Sequence, residues 1–143
     1  MRKNLPMILI RVIVGLVFLT EGILKFVYPG ELGWGRFAHI GFPLPHLLAP
    51  FVGAVEIAAG GALILNLYAG DAALLLLIVI LTAIFTTKAP ILVGHQLGRF
   101  ATPKLDHFGL LSFIHEARTD LSMLFGLVAI LPDSGMSLRL KGR

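Results

Sequence analysis

The apolar residues of this chain fall into four long blocks, separated by short stretches rich in proline, glycine and charge. A helix that crosses a bilayer needs about 17–25 mostly apolar residues. The pattern therefore predicts four transmembrane helices, at residues 6–28, 46–68, 71–93 and 116–131. Pro29 and Gly30 end the first block, and Pro132 stops the fourth.

The connections between the blocks predict how the helices follow one another. A loop rich in glycine and aromatic residues covers residues 30–45, a tight turn is expected at Gly70 and Asp71, and a longer polar segment covers residues 95–113. Antiparallel neighbours are the usual outcome of short connections. We therefore expect an all-α fold: one domain, residues 1–143, forming an integral membrane four-helix bundle with up-down-up-down topology.

Composition supports a membrane protein rather than a soluble domain. Of the 143 residues, 57% are hydrophobic and only 14% are charged, whereas soluble proteins have about 25% charged residues. The net charge is +4, but the basic residues lie near the predicted helix ends, as is usual beside anionic lipid. We expect the lipid bilayer as a partner and no nucleic acid. The chain has no cysteine, which excludes dithiol chemistry from its own residues.

The distribution of lysine and arginine predicts orientation, because cytoplasmic flanks carry more of them. The two chain ends hold five of these residues. The opposite side holds three, or four if the third helix ends before Lys88. This bias favours both termini in the cytoplasm of a bacterial inner membrane. The residues counted are Arg2, Lys3, Arg139, Lys141 and Arg143 on one side, and Arg36, Arg99 and Lys104 on the other.

Four ionisable residues lie inside the predicted spans: Arg11, Glu21, Lys25 and Glu56. A charge at the bilayer centre costs at least about 2.5–3.5 kcal/mol. Because a helix turns by about 100° per residue, the helical phase of these positions predicts which surface they share. They fall on or beside faces that carry small residues, which let helices approach closely in lipid. The predicted packing glycines are Gly15 and Gly22 on the first helix and Gly53 and Gly60 on the second.

Depth along the helices divides these charges into two groups. A rise of about 1.5 Å per residue places Lys25, Glu21 and Glu56 roughly 5, 10 and 15 Å below one surface. Arg118 and His115 enter the fourth helix at that same surface. A polar, ligand-binding cluster of Glu21, Lys25, Glu56, Arg118 and His115 is therefore predicted. The alternative is structural: Glu21 and Lys25 are spaced to pair on their own helix, and Lys25 can extend to the interface.

Two further patterns bear on chemistry. Arg11 is expected near the opposite surface, in contact with lipid headgroups or with a carbonyl at a helix end. All five histidines lie in or beside the two long loops, without the fixed spacing of a metal or haem site. We expect no metal site.

At these residues the sequence resembles the DoxX family of small bacterial membrane proteins. The matching stretches are residues 11–25, 41–45, 53–61 and 135–138, and they occur in the same order through nearly the whole chain. One departure is Arg139, where the family often has an aspartate. The resemblance implies four transmembrane helices in a bacterial inner membrane. It also implies a link to membrane oxidoreductases, because the family is named after a subunit of a thiosulfate:quinone oxidoreductase.

Three functions remain open at this point. The first is a quinone-facing or accessory subunit of a membrane oxidoreductase system, with quinone as the cofactor and an oxidoreductase as partner. The second is a non-catalytic membrane scaffold that docks a partner protein. The third is a small-solute or proton pathway, which would call for a homo-oligomer because four helices are few for a lumen. Whether the chain is an enzyme is left undecided.

Overall fold

The computed structural model describes residues 4–94 and 109–134, and throughout this part of the chain the regular structure is helical. The expected all-α class is therefore confirmed. The elements in chain order are α1 (Leu5–Val27), α2 (Trp34–Ile40), α3 (Pro45–Leu65), α4 (Ala69–Ala83), a π-helical segment (Ile84–Lys88), α5 (Ala89–Val93) and α6 (Leu110–Asp133). Arg99, Lys104, His95, His107 and the basic residues at both chain ends lie outside the described residues.

Two of the predicted connections were wrong. The first loop contains a short helix, α2, which is closed by Gly41 in the left-handed region at φ 99°. The turn between α3 and α4 lies at Asn66 to Tyr68, while Gly70 is buried inside α4. Asn66 ends α3 at φ 57°, and the Leu67 N–H donates to the Ala62 carbonyl at 2.8 Å. This is a Schellman-type cap, in which asparagine can replace glycine.

The third predicted span is one continuous path, Ala69–Val93, that widens near its end into the π-helical segment. Pro90 follows this segment, and proline has no N–H to donate and crowds the carbonyl four residues earlier. Threonine hydroxyls line the approach: Thr87 Oγ1 donates to the Ala83 carbonyl at 2.6 Å, and Thr82 Oγ1 to the Ile78 carbonyl at 2.8 Å. Such back-bonding competes with the regular helical ladder, which favours a wider turn here.

The long helices pack in a ring, with α1 and α4 each contacting both α3 and α6. Gly15 of α1 lies against Gly60 of α3, and Gly22 lies against Gly53, so these two helices run in opposite directions. The centre of the ring is apolar. Its most completely buried large side chains are Val14, Leu63, Leu76, Leu127 and Ile130.

Three helical paths are long and apolar enough to cross a membrane: Leu5–Val27, Pro45–Leu65 and Ala69–Val93. Their outward surfaces are apolar as well, since Leu9, Phe51 and Ile78 are each about 60% exposed (58%, 64% and 58%). The fourth predicted span corresponds to α6, which is longer than expected and begins at Leu110 rather than near Glu116. Because of its charged residues, α6 is not among the helices that are apolar enough to cross a membrane. That α6 crosses the membrane stays a prediction.

Candidate functional site

A buried ion pair joins the last turns of α1 to the middle of α3. Lys25 Nζ lies 2.7 Å from Glu56 Oε2, and the two side chains are only 10% and 6% exposed. Lys25 Nζ also reaches the Glu21 carbonyl oxygen at 3.4 Å. Among the described residues, every buried side-chain nitrogen and oxygen has a hydrogen-bond partner. The pair is therefore closed, with each charge satisfied by the other.

Close backbone contacts explain how Lys25 and Glu56 come so near to each other. A Cβ atom added to Gly22 would lie 2.7 Å from the Gly53 carbonyl oxygen and 2.9 Å from the Ile57 nitrogen. A Cβ added to Gly53 would in turn meet Lys25 Cβ at 3.4 Å. The four glycines predicted to pack thus all lie on the α1–α3 contact. This closeness lets the side chain of Lys25 reach across to α3.

The remaining predicted cluster residues are arranged differently. The Glu21 side chain is exposed, and Lys25 approaches its backbone carbonyl rather than its carboxylate. Arg118 and His115 are exposed on α6, where the Arg118 guanidinium donates to the His115 carbonyl. Within the described residues, no hydrogen bond or ion pair joins Arg118 or His115 to Lys25 or Glu56. Their role in ligand binding stays a prediction.

Three other charged residues lie within electrostatic range of Asp120, a half-buried residue of α6. The charges of Lys88, Arg36 and Glu21 all act on the Asp120 carboxyl group, and the charge of Glu21 acts on Glu56 as well. We call Glu21, Arg36, Lys88 and Asp120 the four-charge cluster. It draws its members from α1, α2, the π-helical segment and α6, at the end of the bundle that holds the Lys25–Glu56 pair.

Sequence reasoning included Arg118 in the predicted cluster and left Asp120 out of it. The signal was present in the helical phase of α6. Asp120 lies on the face that buries Ala117, Met123 and Leu127, whereas Arg118 points almost directly away from it. Lys88 and Arg36 were treated only as flanking charges, because no local pattern connects them to α6.

The short helix α2 rests on the start of α3 through an aromatic contact. The rings of Trp34 and His46 stack with their centroids 4.2 Å apart, and Phe37 lies 5.3 Å from Phe42. Where the structure describes the chain, there is no group of three or more histidine, cysteine or acidic side chains that could hold a metal ion. In this structure His46 packs against the ring of Trp34.

At the opposite end of the bundle, Arg11 of α1 pairs with Asp133 of α6. Arg11 Nη1 lies 3.5 Å from Asp133 Oδ2, and the side chains are 15% and 47% exposed. The sequence predicted a lipid headgroup or a helix-end carbonyl as the neighbour of Arg11. The structure provides a carboxylate instead.

These features define a multi-pass, all-α membrane protein with an ion pair locked between two of its apolar helices. Comparison with known proteins then identifies the family: the sequence matches the DoxX family over residues 7–89, and the chain belongs to it. It is 48% identical to the "Uncharacterized membrane protein Rv3486" of Mycobacterium tuberculosis over 124 residues, which cover 87% of this chain and 72% of the relative. No solved structure matches the chain.

Proposed function

We propose that this protein is an accessory subunit of a membrane oxidoreductase system, which positions a partner protein rather than carrying out the reaction itself. In this proposal the chain crosses the bacterial inner membrane four times, up-down-up-down, with α6 as the fourth span and both termini in the cytoplasm. The oxidoreductase context rests on the family resemblance. The observation that carries the accessory role is the closed Lys25–Glu56 pair.

A closed pair suits a structural task better than a chemical one. Lys25 and Glu56 satisfy each other's charge at 2.7 Å within a contact so tight that glycines are required on both helices. A ligand could reach either group only by breaking the pair, which would leave an uncompensated charge in an apolar environment. Loss of one partner of a buried pair costs about 3–5 kcal/mol. The pair therefore fixes the register of α1 against α3.

The four-charge cluster is suited to the docking task. Arg36 and Glu21 are exposed, while Lys88 and Asp120 are half-buried, so the cluster presents both signs of charge at one end of the bundle. Complementary charges at an interface set orientation and partner choice more than raw affinity. Trp34 of α2, 39% exposed, adds an aromatic side chain of the kind that anchors interfaces.

A quinone-facing role is the second candidate, favoured by the position of Asp120. Asp120 and Lys88 are half-buried and oppositely charged. Lys88 could donate a hydrogen bond to one oxygen of a quinone headgroup, and the Asp120 carboxylate could accept one from the hydroxyl group of the reduced quinol. Phe18, which is buried in α1, and Phe37 of α2 are the aromatic residues expected to contact its ring. In that case the chain would carry a bound quinone when it is extracted gently.

The test replaces the ion pair by apolar residues of similar size. Lys25→Met, Glu56→Leu and the double variant are compared with an exposed-residue control, Glu31→Gln, both as purified proteins and in a host strain that lacks its own copy of the gene. We expect each single variant to be destabilised by about 3–5 kcal/mol. The double variant and the control should fold and restore substrate-driven quinone reduction in isolated membranes.

Two results would contradict the accessory role. One is a double variant that folds like the wild type but restores no activity in membranes. The other is stoichiometric quinone in the gently extracted wild-type protein, measured by mass spectrometry and lost on Asp120→Asn or Lys88→Met. The second result would favour the quinone-facing role instead.

A further inference from the structure

A half-open cavity of about 480 Å³ lies at the end of the bundle that holds Arg11 and Asp133. Small-molecule sites usually measure about 300–1,000 Å³, so the cavity is large enough for a ligand of several heavy atoms. It opens where the first turns of α1 and α4 meet the last turns of α3 and α6. Its lining residues are Asn4, Met7, Arg11, Asn66, Tyr68, Ala69, Asp133 and Ser134.

Arg11 has hydrogen-bonding capacity left over. Its guanidinium contacts Asp133 at 3.5 Å, which is its one partner among the described residues, although arginine carries five N–H donors. No buried side-chain nitrogen in the described part of the chain lacks a partner. Arg11 lines the cavity, so its remaining donors can meet a ligand bound there.

Asp133 supplies the opposite charge in the same cavity. Its side chain is 47% exposed, and only its Oδ2 atom contacts Arg11. The cavity thus offers one cation and one anion side by side, with no net charge between them. A plain phosphate would meet the carboxylate of Asp133 as a like charge, and a plain amine would meet Arg11 in the same way. A ligand with both charges avoids both conflicts.

We propose that this cavity binds a zwitterion of the phosphoethanolamine class, with its phosphate on Arg11 and its primary ammonium on Asp133. Arginine binds phosphate oxygens through paired, charge-assisted N–H donors. A primary ammonium can donate hydrogen bonds to the free carboxylate oxygen of Asp133, which a trimethylated amine cannot do. The proposal concerns the end of the bundle opposite to the four-charge cluster, and it does not depend on the accessory role.

The residues around the cavity are of the kinds found at a membrane–water interface. Tyr68 on its wall is 83% exposed, and tyrosine is enriched at membrane–water interfaces. Exposed leucines border the same turn: Leu65 is 68% exposed and Leu67 is 55% exposed. A phospholipid could place its chains against these leucines and its headgroup in the cavity. A soluble compound with the same headgroup shares the chemistry, and the experiment separates the two sources.

The experiment reconstitutes the full chain in nanodiscs with equal amounts of phosphatidylethanolamine, phosphatidylcholine and phosphatidylglycerol. Native mass spectrometry then measures which lipid stays bound. We expect one phosphatidylethanolamine per chain in the wild type and about a tenfold weaker preference for it over phosphatidylcholine in Asp133→Asn. Arg11→Gln should lose retention of all three lipids. Asp71→Asn, an exposed acid near the start of α4, is the matched control and should behave like the wild type.

A second arm adds soluble glycerophosphoethanolamine to lipid-depleted protein and follows thermal unfolding. If glycerophosphoethanolamine stabilises the wild type but not Asp133→Asn, the ligand is a soluble compound. If phosphatidylethanolamine is retained while the soluble compound has no effect on unfolding, the ligand is a membrane lipid. Equal retention of the three lipids together with no soluble effect would overturn the proposal. A preference for phosphatidylglycerol would also overturn the proposal. So would a correctly folded Asp133→Asn variant that binds phosphatidylethanolamine as well as the wild type does. Because the Asp133 side chain is half-exposed, we expect Asp133→Asn to fold even if Arg11→Gln does not.

Discussion

Gly60 and Gly61 are neighbours on α3, and the structure predicts opposite outcomes for the same substitution at the two positions. A Cβ added to Gly60 would lie 2.8 Å from the Gly15 carbonyl oxygen and 2.8 Å from the Leu19 nitrogen, both backbone atoms of α1. A Cβ added to Gly61 would meet nothing within 4 Å. Gly61→Ala is therefore a matched control for Gly60→Ala, in the same helix and one residue away.

The expected magnitudes follow from these distances. Ordinary contacts between non-bonded atoms begin near 3.5 Å, so α1 would have to move by about 0.7 Å to accept the methyl group that Gly60→Ala adds. Overpacking of this kind costs about 1–3 kcal/mol. Both variants gain about 0.5–1 kcal/mol from the better helix propensity of alanine. We expect Gly61→Ala to be slightly stabilising. The free energy of unfolding of Gly60→Ala should be about 1–3 kcal/mol lower than that of Gly61→Ala.

The assay is unfolding of the purified protein in mixed micelles of increasing SDS content. Far-ultraviolet circular dichroism follows the helices, and the fluorescence of Trp34, the sole tryptophan in the sequence, follows the docking of α2 on α3. Equal unfolding midpoints for Gly60→Ala and Gly61→Ala would refute the close α1–α3 contact. A strong loss of stability in Gly61→Ala would refute the helix phase on which the argument rests.

Two further predictions concern contacts at the end of the bundle that holds the Lys25–Glu56 pair. His46→Leu removes the ring stacked on Trp34 at 4.2 Å, so the emission intensity of Trp34 should change and about 0.5–1.5 kcal/mol of stability should be lost; unchanged fluorescence would mean that the stack is absent in solution. A double-mutant cycle between Lys88→Met and Asp120→Asn should give a coupling of about 0.5–1 kcal/mol that weakens at high salt, and strictly additive single effects would exclude the proposed proximity of these charges.

For α1 and α3, the helical phase of the sequence predicted which residues face the neighbouring helix. Because a transmembrane charge must face another helix, the positions of Glu56 and Lys25 could be read from their shared stripe with glycines. The same reasoning could not decide whether Lys25 pairs with Glu21 within α1 or with Glu56 of α3. That choice depends on how close the two backbones come, and only the contact of Gly22 with Gly53 makes the second option reachable.

Other parts of the site lay beyond local pattern. The residues of the four-charge cluster come from separate elements, and α2 was not expected at all because glycines on either side of it suggested a loop. The pairing of Arg11 with Asp133 joins residues near opposite ends of the chain. Such encounters are set by the ring order of the helices, which no single window of sequence contains.

The π-helical segment at Ile84–Lys88 has a consequence for how the sequence can change over evolution. A π turn accommodates one residue more than an α turn, and each residue corresponds to about 100° of rotation. Deleting one residue within this segment would therefore convert the wide turn into an ordinary α turn, and the residues after it would keep nearly the same face. Lys88 would stay toward Asp120, and Ile91 would stay buried. The same deletion in the regular part of α4 would rotate everything after it by about 100°. The π-helical segment is therefore the place where this span can lose a residue and keep its packing.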